Sequence, residues 1–288
     1  MLEAVTQSVT KMSASSVPVV PGWFIPDHDV QRELYPFARG SFGKVYRGTW
    51  RGEKVVVKCV DVVSANDKRV FSRDARIWLR AQHPNVVQFH DACHWTQPCF
   101  FVCEEATNGN LTDFLSLTQG SCRVLTWRLL RDAALGLQFL HQRGIVHGNL
   151  KCNQILVSEE RTAKLTDFGL SFASLESRPN ITSGAVRWKV PELLTSHGCA
   201  PTFASDVYSF GMGALEAVSG TVPWGIHLPD VAVMDHLRHG TFFSRPEAFG
   251  NDEHWNFVRA LCAFHPSQRP KLSSVVKTLN RFAVDAAD

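Results

Sequence analysis

Between Val146 and Gly169 the chain reads V-H-G-N-L-K-C-N-Q-I-L-V, then a short polar spacer, then K-L-T-D-F-G. Ile155-Leu156-Val157 and Ala163-Lys164-Leu165 are β-type runs on either side of Ser158-Glu159-Glu160-Arg161, a pattern that predicts a small hairpin. A hairpin returns the chain to where it left. Asn149, Lys151 and Gln154 before it and Asp167 after it are thereby offered to one place. Groups of these types can face a phosphate that carries a metal ion.

The rest of the chain divides by composition. Residues 1–22 are rich in Ser, Thr and Val without periodicity and predict a tail, and Trp23-Phe24-Ile25-Pro26 opens a stretch that packs. From Leu34 a strand, a glycine turn (Gly40-Ser41-Phe42-Gly43) and a second strand follow, and Lys54–Val60 is a β-branched run. Residues 66–80 predict a helix whose apolar face, Val70, Phe71, Ile77 and Trp78, also carries Asp74. An acid on such a stripe is costly unless a cation meets it. Strands are predicted over 85–89 and 100–103, and helices over 127–141 and 205–219, near Asp252 and after Pro270. A β-rich small lobe over 23–104 and a helical lobe over 105–285 result, an α+β architecture.

Composition excludes several classes. The chain has 288 residues, 44% hydrophobic and 20% charged, which suits an ordinary globular fold with a sizeable core. A formal charge of +3 without a dense Lys/Arg block gives no footprint for nucleic acid. No apolar run approaches the ~18 residues of a membrane span, and no apolar block follows the N-terminus as in a secretory signal. The eight cysteines are scattered without C-x-x-C spacing, which favours reduced core thiols; Cys99 and Cys103 would share one strand face. A cytoplasmic address is expected, and the sequons at Asn110 and Asn180 then carry no weight.

Seven motifs in order resemble those of the protein kinase family over about residues 30–282. They are the glycine turn, Lys58 in its strand, Asp74 on the next helix, the loop at 146–154, Asp167-Phe168-Gly169, Val190-Pro191-Glu192, and Asp206-Val207-Tyr208-Ser209-Phe210-Gly211. The His265–Pro270 stretch supplies an arginine, Arg269, for Glu192. The resemblance implies a bilobal kinase-like fold that takes ATP and Mg2+ and acts on, or signals to, another protein. It implies phosphate contacts from Ala38, Gly40, Ser41, Phe42 and Gly43, and walls for the purine at Val45, Val56 and Leu156. Backbone groups of Glu104 and Ala106 would bond the purine behind a small residue, Cys103. Lys58 would hold phosphates and pair with Asp74, Lys151 would face the γ-phosphate, and Asp167 and Gln154 would hold the metal. Phe89, Trp78, Phe168 and His147 would stack on an anchor at Asp206. Lys151, Trp23, Gly48-Thr49-Trp50 and Arg187-Trp188-Lys189 resemble the tyrosine-kinase-like group of serine/threonine kinases.

The departures from that pattern decide what to expect of the chemistry. Asn149 stands where the family has its catalytic Asp, and a carboxamide cannot take a proton near neutral pH. Gln154 replaces a metal-binding Asn, Ala38 a glycine, Asp74 a Glu, and Gly148 the loop Arg that grips a phosphorylated segment, here one bearing Ser177, Thr182 and Ser183. Three expectations follow: a nucleotide-binding pseudokinase, a low-turnover Ser/Thr kinase, and a scaffold that binds no nucleotide.

Overall fold

The computed structural model describes residues 20–40, 43–118, 123–168, 185–195, 200–242 and 244–285. The predicted tail lies outside them up to residue 19. The strands of the first part are Val30–Arg32 (β1), Ala38–Gly40 (β2), Gly43–Trp50 (β3), Glu53–Val60 (β4), Phe89–Cys93 (β5) and Cys99–Glu104 (β6). They form an antiparallel sheet in the order β1-β3-β4-β6-β5, with β2 paired to the tip of β3.

Because side chains alternate along a strand, β4 and β6 each serve two faces. Val55, Val57, Cys59, Phe100 and Val102 pack with Ile25 and Trp50 on one. Phe101 turns the other way, against Phe71 and Trp78 of helix Ala65–Arg80 (α1). Ser64 and Asp67 start α1 by capping each other's backbone N–H, a box worth about 1 kcal/mol. Trp23 packs against Phe71 as its context predicted.

One predicted strand is displaced. Asn85, Val86 and Val87 do not extend the first sheet, and β5 begins only at Phe89. Their apolar character serves the hairpin instead. Val87 N–H donates to the Leu165 carbonyl and Leu165 N–H to the Asn85 carbonyl, both at 2.9 Å. Behind them Gly136 is obligatory, since a β-carbon there would lie 2.3 Å from the Asn85 carbonyl oxygen.

The second part contains Leu111–Leu117 (α2), Arg123–Gln142 (α3), the hairpin Ile155–Val157 (β7) and Ala163–Leu165 (β8), Pro191–Thr195 (α4) and Phe203–Ser219 (α5). Asp230–Arg238 (α6), Asp252–Leu261 (α7) and Leu272–Asp285 (α8) complete it. The predicted hairpin forms, with Ile155 opposite Leu165 and Val157 opposite Ala163. Helix α5 is buried nearly all round, which explains its almost uninterrupted apolar sequence. Thr202 and Ser205 cap its start, and Gly220, at φ +67°, ends it. Among the described residues no helix is long and apolar enough to cross a membrane.

The Arg269 side chain is almost wholly enclosed and makes a two-pronged ion pair with Glu192, Nη1–Oε1 2.7 Å and Nη2–Oε2 2.8 Å. It also donates to the carbonyls of Ala204 and Ala263, so the start of α5 and the end of α7 share one cation. Removing one partner of such a pair leaves the other uncompensated. Arg269→Ala is expected to cost about 3 kcal/mol and lower the Tm by roughly 10 °C, read by thermal unfolding.

Candidate active site

The floor of the site is held by one buried acid. Asp206 of α5 is 1% exposed. It accepts the backbone N–H of His147 at 2.8 Å and of Gly148 at 2.7 Å, and His141 Nε2 lies 2.8 Å from it. These contacts fix the loop that carries Asn149, Lys151 and Gln154 to both α3 and α5. Gly148 turns at φ +76°, which glycine adopts without strain.

Across from this loop, Lys58 Nζ lies 2.5 Å from Asp167 Oδ1 and donates to Thr166 Oγ1 at 2.7 Å. Burial alone would pull the lysine's pKa down, but the adjoining carboxylate outweighs it and the ammonium is held above its ordinary value. Asp167 sits at φ +57°, a left-handed conformation that is strained for a residue with a side chain. The same backbone turn sends Phe168 inward. The predicted stack is present: Phe89–Trp78 at 6.1 Å, Trp78–Phe168 at 5.7 Å and Phe168–His147 at 6.4 Å between ring centres. Trp78 adds a hydrogen bond, its indole N–H to the Phe168 carbonyl at 2.8 Å.

The expected Lys58–Asp74 pair is not made. Asp74, 2% exposed, is met by the guanidinium of Arg73 from its own helix, Nη2–Oδ1 3.2 Å and Nε–Oδ1 3.3 Å. Two causes are visible. An Asp carboxylate reaches roughly 1.5 Å less far than that of a Glu, and Trp78 lies beside the lysine, its ring centre 5.2 Å from Nζ. Lys58 therefore takes the nearer acid, Asp167. Burial pushes the Asp74 carboxyl up to about 6 against the opposing pull of Arg73.

Register places the remaining residues. Ala38 faces Val45, Val45 faces Lys58, and Val56 faces Cys103, so all five lie on one side of the sheet. Gly40 opposes Gly43 at the tip. A β-carbon on Gly43, at φ +144°, would meet the Cys59 carbonyl oxygen at 2.2 Å. Ser41, Phe42, Gly169, Ser177, Thr182 and Ser183 lie outside the described residues. Burial raises the Cys103 thiol to about 12 and keeps it neutral. The carboxylate of Glu104 is tied to Lys164 at 2.6 Å. Ala106 gives its carbonyl to Gly109 N–H, while its own N–H bonds no described residue. Leu156, half-buried, lies in the hairpin opposite Lys164.

The half-buried side-chain amide of Asn149 and the amide of Gln154, a residue 6% exposed, each lack a hydrogen bond to any described residue. Lys151 Nζ lies 5.8 Å from the Trp188 ring centre. Burial lowers its pKa, with Glu216 and Asp167 pulling the other way. The Trp188 indole N–H donates to Glu216 at 2.8 Å, which braces that platform. Thr166 and Glu216 were given no site role from the sequence, and Trp188 was read only as a marker of the kinase group, although Thr166 immediately precedes the D-F-G triplet. Among the described residues no cluster of three His, Cys, Asp or Glu side chains could hold a metal alone. A hard cation here would draw on one carboxylate, an amide oxygen, phosphate and water, which is how Mg2+ is usually bound.

A family model for protein tyrosine and serine/threonine kinases matches residues 33–279. Among curated proteins, the serine/threonine-protein kinase STY17 of Arabidopsis thaliana is 28% identical over 258 residues, 87% of this chain and 44% of that protein. The probable serine/threonine-protein kinase drkB of Dictyostelium discoideum is 30% identical over 259 residues, covering 87% and 36%. The serine/threonine/tyrosine-protein kinase HT1 of Arabidopsis thaliana is 28% identical over 255 residues, covering 85% and 65%. The chain thus spans less than two thirds of each of these relatives.

The buried acid of α1 makes stability depend on pH. With its pKa about 6 when folded and ~3.9 when unfolded, Asp74 binds more protons folded, so its contribution improves as pH falls from 6 towards 4. The Tm advantage of Asp74→Asn over the parent is expected to be largest near pH 7.5 and to shrink by pH 5. The corresponding change is at most ~3 kcal/mol. Parallel melting of both proteins across that range reads it.

Proposed function

Because the chain belongs to the protein tyrosine and serine/threonine kinase family, we propose that it is a serine/threonine-type kinase domain that binds ATP but transfers phosphate to protein hydroxyls poorly or not at all. Its role would then be to present a shape to a signalling partner. The observation that carries this is Asn149. Its loop is anchored as an active loop needs to be, yet the group at the reacting position is a carboxamide, and no carboxylate among the described residues bonds it.

The remaining groups support nucleotide binding. Lys58 and Lys151 offer ammonium donors to phosphate oxygens from opposite sides of the cleft, and the Ala106 N–H is open to a purine acceptor. Asp167 and the Gln154 amide oxygen would hold Mg2+, which would supply positive charge to the phosphate oxygens. Asn149 can accept a hydrogen bond and orient a hydroxyl. It cannot keep that hydroxyl's proton, and losing a general base costs about 10²–10⁴ in rate. With Gly148 in place of the loop Arg, phosphorylation of the segment bearing Ser177, Thr182 and Ser183 would lack its usual clamp. The six described cysteines are buried and free, which fits a cytoplasmic, reducing environment.

A second reading, a working kinase of low turnover, is favoured by the left-handed Asp167 and the completed stack through Phe168, since both hold Asp167 beside Lys58 in an assembled site. Phosphotransfer assays separate the two. Asn149→Asp is expected to raise turnover by roughly 10²–10⁴ over the parent, while Lys58→Met is inert. Parental turnover close to that of Asn149→Asp, and lost in Lys58→Met, would establish the second reading instead. A Tm raised by millimolar ATP with Mg2+ is expected; no shift would point to a scaffold without nucleotide.

A further inference from the structure

A groove of about 590 Å3 runs between α1 and the turn that leaves α3, lined by Arg73, Arg76, Ile77, Arg80, Arg143 and Ile145. The four α1 residues recur at i, i+3, i+4 and i+7, so they form one stripe, beside the face that Phe71, Ala75 and Trp78 bury. Over seven residues that stripe is about 10 Å long. Its floor is apolar, with Ile77 and Ile145 half-buried.

Among the described residues the charge of this groove is unbalanced. Arg73 meets Asp74. Arg76, Arg80 and Arg143 are exposed, and none pairs with a carboxylate among the described residues; Arg143 lies flat on the Phe139 ring at 3.7 Å. The whole chain has 30 basic and 27 acidic side chains, so composition alone does not gather four guanidinium groups around one concavity. Like charges at these helix spacings oppose helix formation. The field reaches a neighbour: burial lowers the His83 pKa, and Arg143 lowers it further.

We propose that this groove binds an acidic segment of a partner protein. An aliphatic or aromatic side chain of that segment sits on Ile77 and Ile145, and carboxylates or phosphate esters flanking it meet Arg76, Arg80 and Arg143. Arginine forks match such planar or tetrahedral oxyanions. The length of the stripe favours a chain with spaced charges over one small anion. A second copy of this protein would oppose arginine to arginine, which argues against self-association here. The groove lies outside the cleft, so the proposal stands whether or not the cleft transfers phosphate.

The test uses fluorescence polarisation with a labelled peptide of about eight residues, Glu and Asp around a central Leu-Phe, which outruns the stripe when extended. The parent protein should bind it. The double variant Arg76→Glu/Arg80→Glu should bind at least about tenfold more weakly, the loss expected for two charge-assisted contacts. Arg259→Glu, an exposed arginine on α7, should bind as the parent does. A peptide with Ser-Ser in place of Leu-Phe should also bind more weakly. Equal losses in the α7 variant, indifference to the central pair, or no binding by the parent would each overturn the proposal. So would binding confined to vesicles containing phosphoinositide, which would make the groove a lipid site. Melting temperature and the ATP–Mg2+ shift, measured on the same variants, keep misfolding and failure of the cleft distinguishable from failure of the groove.

Discussion

The loop that carries Asn149 and Lys151 hangs from the carboxylate of Asp206. A buried acid without donors would be among the most expensive groups a core can hold. This one receives two backbone N–H groups from the loop at 147–148 and faces the His141 ring, so its burial is compensated. The direction of dependence runs from helix to loop. Helix α5 is positioned by its apolar surroundings, its acid then orders the backbone of the loop, and that backbone aims Asn149 and Lys151. The support is complete, and the side chain it presents at 149 is a carboxamide.

The small lobe tells a different story, one of competition. Two acids were candidates for Lys58, Asp74 on the next helix and Asp167 109 positions away, and Arg73 and Trp78 determine which it takes. Arg73 satisfies Asp74 from within α1, and the Trp78 indole, tied to the Phe168 carbonyl, stands beside the ammonium. Four ring contacts through Trp78 and Phe168, with pairs of this kind worth about 0.5–1.5 kcal/mol beyond area burial, favour this arrangement.

Which features were legible in the sequence follows from how local their causes are. The hairpin at 155–165 and the apolar stripe of α1 are dictated by residues a few positions apart, and they form where the pattern put them. Glu192 and Arg269 are 77 positions apart, and their pairing was readable only through resemblance to a family. Residues 85–87 misled because an apolar run does not say which partner it will cover; they joined β8 and α3 rather than the first sheet. The partner of Lys58 was misjudged for a related reason. A charge pair is settled by reach and by rivals, and neither Arg73 nor Trp78 advertises itself as a rival. Helices α2 and α6, at 7 and 9 residues, are too short to show a clear period.

With Lys58 against Asp167, the cleft neutralises itself. A phosphate arriving alone would have to draw the ammonium from its carboxylate, and a cation arriving alone would have to displace the ammonium from it. Arriving together, each visitor accepts the half that the other sets free. Such an exchange would make the two binding events cooperative, and by reciprocity each would strengthen the other by the same factor.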